Sequence, residues 1–338
     1  MRAAAALLGL LVFALVAAAP AGAATRPEEA SLEARIAEIA RTAHGTVGVC
    51  AVHVESGRTA CLNPEREFIL QSTFKALVAG AVMRDVDRGR LALKTPVALL
   101  ARDMAPNASP LAKRHPLGGV TVSVHELLDL MVTVSDNTAC DALLRKLGGP
   151  DSVTTWLVRR GIRGAHVNRN EFALNNDWYG LKPPPRSLWT AASLGKLREA
   201  VPAAGRDSGA RRFLADPRDR ATPAAYANFL VALQKRELLS PASTDTLLAL
   251  LGRCATGANR LPAGLPPGVR LAHKTGTGGT WRDTTNAVND AGIVTLPGSG
   301  GHVALVVFVE GVSGPVADAE RVIAQVARVV FDHWNAPE

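Results

Sequence analysis

Ser72 and Lys75 stand three residues apart at the head of an apolar run, LQSTFKAL (70–77). On a helix that spacing puts both side chains on one face. A serine hydroxyl is a weak nucleophile until a base takes its proton, and an amine within reach can serve as that base. A helix N-terminus at the serine favours developing negative charge. The lysine also poses a question, because an ammonium among leucines and alanines is costly unless partnered. Alone, S-x-x-K recurs by chance as an N-cap serine beside an exposed lysine, so the partners must come from elsewhere in the chain.

Two further stretches supply candidates. In TVSDNTAC (133–140), Ser135 and Asn137 are two residues apart in a loop. A hydroxyl there can relay a proton, and an amide can hold a substrate carbonyl. Taken alone, the triplet reads more simply as an N-cap cluster for the helix that follows. In the strand-like VRLAHKTGT (269–277), Lys274 offers a fixed positive charge and Thr275 a hydroxyl, and Gly276 permits close approach of a ligand. Each triplet is common by chance. All three in this order, in an exported chain of this length, are not.

The combination resembles the class A serine β-lactamases and the related penicillin-binding proteins. The resemblance covers nearly the whole mature chain, with good local matches in TVSVHELLDLMVTVSDNTACDALLRKLGG (121–149). A fourth stretch, NRNEFALNN (168–176), separates the two families. Glu171, Leu174 and Asn175 match the class A pattern E-x-x-L-N, with Arg169 two residues earlier. Penicillin-binding proteins generally lack this glutamate, and their acyl-enzymes persist. The resemblance implies that Ser72 attacks a lactam carbonyl and forms an acyl-enzyme. Whether Lys75, or Glu171 through a water, is the acylating base stays open. Ser135 would pass a proton to the lactam nitrogen, and Glu171 with Asn175 would hold the deacylating water. Backbone N–H groups of Ser72 and Thr277 would form the oxyanion hole. Asn137, Lys274, Thr275, Gly276 and Thr277 would contact substrate. Arg260 matches a position where some members carry a second carboxylate-binding arginine, and a purely structural Arg260 is the alternative. No metal or cofactor is implied.

One departure stands out. The family's loop arginine pairs with an aspartate that closes the catalytic loop, and the matching aspartate here is Asp219, in ADPRDRATP (215–223). The intervening segment is far longer than usual. It implies an insertion of roughly thirty residues, about Asn176 to Leu214, reading as a lid or rim or as a packed surface excursion. Its middle, SLWTAASLGKLREAV (187–201), predicts a short helix with Leu188, Ala191, Leu194, Leu197 and Val201 inward. An Arg169–Asp219 ion pair is expected to bridge its ends.

The elements that must position these residues follow from periodicity. Helical spacing of Leu32, Ile36, Ile39 and Ala40 precedes two strand-like runs, TVGVCAVHV (46–54) and RTACL (58–62), joined by a turn. The middle of the chain is helical in pattern; in 123–134, Ser123 is a cap and Glu126 completes a capping box. Strand periodicity returns in 269–277, 289–297 and 302–311, before a last amphipathic helix carrying Ala317, Val322, Ile323, Val326, Val329 and Val330. The fold expected is α+β: one antiparallel sheet built from both chain ends, flanked by terminal helices, with an inserted all-α domain. The sheet domain is read as 24–66 and 260–338. The helical domain is 67–259, with an extended catalytic loop at about 166–220.

Composition limits the partners. Residues 1–23, MRAAAALLGLLVFALVAAAPAGA, read as a signal peptide, with a charged start, an apolar stretch and a small-residue cleavage site. They imply secretion, to the periplasm. No later segment is apolar enough to span a bilayer. The net charge of +8 is scattered rather than striped, so nucleic acid is not an expected partner. Cys50 and Cys61 flank the turn Glu55–Arg58, so a hairpin brings them near each other; buried free thiols are the alternative. Cys140 with Cys254 is the remaining pairing. A monomer is expected. The function expected is β-lactam hydrolysis through a serine acyl-enzyme, directed at penicillins, cephalosporins or both. A D-alanyl-D-alanine carboxypeptidase, or a β-lactam sensor that stays acylated, is the alternative.

Overall fold

A computed structural model describes residues 31–185 and 189–336. The signal peptide expected over 1–23 lies outside the described residues. The strands are β1 (Thr46–His53), β2 (Thr59–Leu62), β3 (Phe68–Ile69), β4 (Pro96–Leu100), β5 (Gly118–Ser123), β6 (Arg220–Ala221), β7 (Leu271–Thr277), β8 (Thr280–Trp281), β9 (Thr284–Thr295) and β10 (His302–Ser313). The helices before the catalytic loop are α1 (Leu32–Ala40), α2 (Phe74–Asp87), α3 (Pro110–Arg114), α4 (Val124–Thr133), α5 (Asn137–Lys146) and α6 (Asp151–Arg159). Those within and after it are α7 (Glu171–Tyr179), α8 (Ala191–Glu199), α9 (Ala203–Ala215), α10 (Pro223–Gln234), α11 (Pro241–Leu251), α12 (Leu261–Gly264) and α13 (Val316–Asn335).

The main sheet is antiparallel, in the order β2-β1-β10-β9-β7, with β8 on β9. It joins the two ends of the chain, because β1 pairs along β10 from Thr46↔Glu310 to His53↔Val303. Strands β9 and β10 are buried over almost their whole length, so both faces of the sheet are covered. On one face lie α1, α12 and α13. In α13 the buried residues Ala319, Val322, Ile323, Val326, Ala327 and Val330 recur every three or four positions and form one apolar stripe. On the other face lie the remaining helices, around α2. Every residue from Phe74 to Asp85 is buried, so α2 has no solvent face before its last two residues and runs through the centre of the helical layer.

Several local expectations hold with shifted bounds. Ser31 caps α1 through Ala34 N–H, and Ser123 caps α4 through Glu126 N–H. Cys50 faces Cys61 across β1 and β2, and the two form a disulfide. The second pairing does not occur: Cys140 is packed inside the helical layer, and the Cys254 sulfur rests 3.3 Å from Thr256 Oγ1. The short strands β3 to β6 were not anticipated. In β4 the alternation that buries Val97 and Leu99 is too brief to stand out from its surroundings.

The insertion forms more helix than expected, with both α8 and α9. Where α9 crosses the end of α7, Gly180 meets Gly209: a Cβ on Gly209 would sit 2.5 Å from Gly180 N. Helix α8 is also rotated from the expected orientation. Leu194 is buried as anticipated, but Leu197 is 38% exposed and Arg198 is buried in its place. The reason is polar: Arg198 finds acceptors inside, described below. Leu188 lies outside the described residues.

One buried side chain ties the sheet to the start of α2. Asn289 of β9 donates from Nδ2 to the carbonyls of Ile69 (2.8 Å) and Leu70 (3.1 Å), and its Oδ1 accepts from Val309 N–H. Asn289→Leu strips all three backbone groups of this partner. It is expected to lower stability by about 2–4 kcal/mol in urea denaturation, since each buried group left unpaired is costly; an unchanged midpoint would refute the tie.

Candidate active site

The nucleophile candidate sits on a strained turn. Gln71 has φ 46° and Ser72 lies in a 3₁₀ turn, Gln71–Thr73, that leads into α2. Gln71 Nε2 donates to Asn286 Oδ1 at 2.9 Å, Thr73 Oγ1 to Leu70 O at 2.6 Å, and Tyr226 Oη to Thr73 O at 2.8 Å. These bonds hold Ser72 at the N-terminus of a helix buried from Phe74 to Asp85, where N–H groups lack intrahelical acceptors.

Lys75, one turn into α2, is 0% exposed, and its ammonium is surrounded by oxygen. Nζ donates to Asn137 Oδ1 at 2.6 Å, Ser135 O at 2.7 Å and Ser135 Oγ at 3.2 Å, and Glu171 Oε1 lies 2.9 Å away. Ser72 Oγ lies 3.5 Å from the same Glu171 oxygen. Ser135 turns inward because it occupies the left-handed region, φ 60°, between α4 and α5. The cap of α5 is Asp136, not Ser135 or Asn137. Its carboxylate accepts from Ala139 N–H, Leu111 N–H and Ser109 Oγ, which leaves Ser135 and Asn137 for Lys75.

Lys274 reaches the same hydroxyl from the sheet side, 3.1 Å from Ser135 Oγ, and also donates to Thr275 O at 3.0 Å. Burial, with the Lys75 ammonium alongside, brings Lys274 down to about 8; the negative charges of the Cys254 thiolate, Asp290 and Glu171 act in the opposite direction. Both lysines thus approach Ser135 Oγ, which has two acceptor sites and one proton to donate.

Strand β7 comes close to the Ser72 turn only because residue 276 is glycine. A Cβ there would lie 2.6 Å from Leu70 O and 3.1 Å from Thr73 N. Gly278 N–H bonds Ala287 O at 2.8 Å. By the alternation of an antiparallel ladder, Thr277 then directs its N–H away from β9. Thr275 Oγ1 is bonded to Thr256 Oγ1 at 2.5 Å. Arg260 is buried, and its donors are taken by Glu320, Gly276 O, Asn289 O and Thr277 Oγ1. What Arg260 presents to the cleft is the Thr277 hydroxyl, held at 2.7 Å.

Glu171 opens α7 and is buried. Asn170 caps that helix, and Asp141 adds a second cap from α5, accepting from Glu171 N–H at 2.7 Å and Phe172 N–H at 3.1 Å. Asn175, one turn on, donates to Glu171 O at 2.8 Å and Oε2 at 3.1 Å. Arg169 and Asp219 pair across the base of the insertion. Arg169 also meets Asp177 at 2.8 Å and Asp216 at 3.2 Å, while Asp219 Oδ1 accepts from Asn168 and Arg169 N–H. The insertion then reaches the far side of the cleft, where Asp207 accepts from Trp281 Nε1 at 2.7 Å and pairs with Arg282.

The structure thus gathers Ser72, Lys75, Ser135, Asn137, Glu171, Asn175, Lys274 and the 275–277 strand edge around one cleft. Asp141, Asn107, Asn289 and Arg198 escaped the sequence reading. Only Asp141 left a usable signal, four residues after Asn137 and so on the same helix face.

A profile of the Beta-lactamase enzyme family matches residues 31–334. The β-lactamase VEB-1 of Pseudomonas aeruginosa is 27% identical over 90% of each chain. The β-lactamase AST-1 of Nocardia asteroides is 30% identical over 97% of this chain and 94% of its own. Among solved structures, an ancestral class A β-lactamase superposes with TM-score 0.73 at 31% identity, covering 90% of this chain and 100% of that one. A β-lactamase from Chitinophaga pinensis gives 0.74 at 32%, covering 89% and 98%.

Asp219 has φ 54°, a conformation asparagine also accepts, so Asp219→Asn removes charge without disturbing the backbone. Arg169 keeps Asp177 and Asp216. The expected loss is about 2–3 kcal/mol, the range for a hydrogen bond to a charged group, read from urea denaturation; a loss below a few tenths would mean the clamp does not depend on this carboxylate.

Proposed function

Because the chain belongs to the Beta-lactamase enzyme family, and within it to the class A serine enzymes, we propose that it hydrolyses β-lactam antibiotics through an acyl-enzyme on Ser72 and so confers resistance. The observation that carries this reading is the meeting of Lys75 and Glu171 at 2.9 Å beside the Ser72 hydroxyl. Lys75 faces four acceptors, so its ammonium is fully engaged as a donor; the Glu171 carboxylate is the group able to receive a proton. Ser72 Oγ attacks the lactam carbonyl and its proton passes towards Glu171, directly or through a water. The Thr277 and Ser72 N–H groups take up the charge on the carbonyl oxygen. The ring C–N bond breaks, the nitrogen receives the Ser135 proton, and the proton held by Glu171 passes through Lys75 to Ser135, so that Glu171 is again a carboxylate and Ser135 a hydroxyl. Glu171 then takes a proton from a water held with Asn175. The hydroxide attacks the ester carbonyl, the bond to Ser72 Oγ breaks, and Glu171 returns its proton to Ser72, which leaves as its hydroxyl.

Lys274 and the Thr275 and Thr277 hydroxyls suit a substrate carboxylate, with Arg260 acting through Thr277. Penicillins and cephalosporins both carry that carboxylate. Asn137 Oδ1 serves Lys75 and its Nδ2 donates to Asn107 O at 3.2 Å, on the wall where a substrate amide would lie. The long loop forms the rim of the cleft. The close Glu171–Asn175 contact weighs against a sensor that stays acylated. The apolar start of the chain supports export to the periplasm, an oxidising space that suits the Cys50–Cys61 disulfide. No helix among the described residues is long and apolar enough to cross a membrane. We take the working form to be a monomer.

With a chromogenic cephalosporin, Ser72→Ala is expected to abolish turnover. Glu171→Gln is expected to give one stoichiometric adduct on Ser72, seen by mass spectrometry. Turnover surviving either change would contradict the mechanism. Lys274 is depressed to about 8, so its charge is present below that pH and is lost as pH rises through it. The alkaline limb of kcat/KM should therefore fall near 8, and Lys274→Arg, which stays charged, should move it upward. A limb unmoved by that change would assign it to another group.

A further inference from the structure

Arg198 enters the site from the insertion, on α8, and is buried. Burial lowers it to about 10, so it remains a cation at neutral pH. A guanidinium has donors only, so any amide facing it must present oxygen. Arg198 Nε donates to Asn176 Oδ1 and Nη1 donates to Asn107 Oδ1, both at 2.8 Å. With its oxygen committed to Arg198, Asn107 must turn its NH₂ the other way, and Nδ2 donates to Asn175 Oδ1 at 3.0 Å. The same rule then turns the NH₂ of Asn175 to Glu171, where it reaches Oε2 at 3.1 Å. The other Glu171 oxygen is the one on Lys75. Without the cation, Asn107 has two nearly isosteric orientations, while Glu171 O, which also accepts from Asn175 Nδ2 at 2.8 Å, favours only one for Asn175. With Asn107 reversed, two amide oxygens would face each other and push Asn175 off its place beside Glu171. A small cavity lined by Asn107, Asn137, Glu171, Asn175 and Arg198 adjoins the relay.

We propose that Arg198 is a positioning residue for deacylation: through Asn107 it fixes the amide of Asn175, so that Asn175 and Glu171 together hold the hydrolytic water. The inference rests on the reading of Glu171 as the deacylating base. It gives the insertion a role inside the reaction, beyond forming a rim.

The test separates the two chemical steps by stopped flow and by mass spectrometry of the quenched enzyme. In Arg198→Met, acylation should stay within about threefold while deacylation slows roughly ten- to a hundredfold, the scale for a misplaced reacting group. Then kcat and KM fall together, kcat/KM holds, and the Ser72 adduct accumulates. Arg198→Lys should restore part of the loss. Asn107→Asp keeps an acceptor for Arg198 but cannot donate to Asn175. It should reproduce the slow deacylation, and it decides the matter if Arg198→Met does not fold. In a Glu171→Gln background, Arg198→Met should add no further slowing, because both act on one step. Normal deacylation in the Arg198 and Asn107 variants, or equal slowing in the Glu171→Gln background, would overturn the relay. Wild-type turnover by Glu171→Gln alone would instead overturn the underlying reading of Glu171.

Discussion

A lysine ammonium with no exposed surface is the constraint around which this molecule is arranged. Removing such a charge from water is tolerable only where oxygen atoms replace the water. Lys75 lies in the most buried helix of the fold, and its oxygen shell comes from three directions. The α4–α5 turn brings a carbonyl and a hydroxyl, α5 brings an amide, and α7 brings a carboxylate. Each of those elements is in turn locked by another buried polar group: Asp136 on α3 and α5, Asp141 on α7. The network that solvates the ammonium and the network that would carry the reaction are the same atoms.

The sheet contributes the second charge. Lys274 is as buried as Lys75 and shares the Ser135 hydroxyl with it. Two like charges on one oxygen cost energy, which the carbonyls of Ser135 and Thr275 and the Glu171 carboxylate offset. The arrangement needs β7 pressed against the Ser72 turn, which Gly276 permits and Asn289 secures from the neighbouring strand.

The lengthened loop shows how an insertion can be absorbed. Its two ends are clamped at one point, where Arg169 gathers Asp219, Asp177 and Asp216. Added chain between clamped ends costs little further closure entropy, because that cost grows only with the logarithm of loop length. The added helices then find their own anchors: α9 on α7 at a glycine contact, Asp207 on the β8 turn, and Arg198 on the amides beside Glu171. The excursion is therefore packed at each of these anchors rather than left as a free loop.

Much of this was legible from residue order. S-x-x-K, Ser-Asp-Asn, E-x-x-L-N and Lys-Thr-Gly are local patterns, since each reacting pair must sit on one turn or one strand edge. The strand runs at both chain ends, the amphipathic last helix and the Cys50–Cys61 hairpin also follow from short-range periodicity. So does the match of Arg169 with Asp219, once the family pattern marks the loop's ends. What residue order could not decide was which polar side chains meet across elements. Asn289 and Asp141 look like ordinary surface residues until packing removes their water, and Asn107, which stays exposed, shows its partners only once α8 is folded beside it. Arg198 reversed the expected face of α8: apolar spacing put Leu197 inward, yet the two amide oxygens of Asn176 and Asn107 made the arginine the better-solvated buried group. Hydrophobic periodicity is written along the chain, one element at a time. Hydrogen-bond satisfaction is settled between elements, and only the tertiary structure brings those partners within 3 Å of one another.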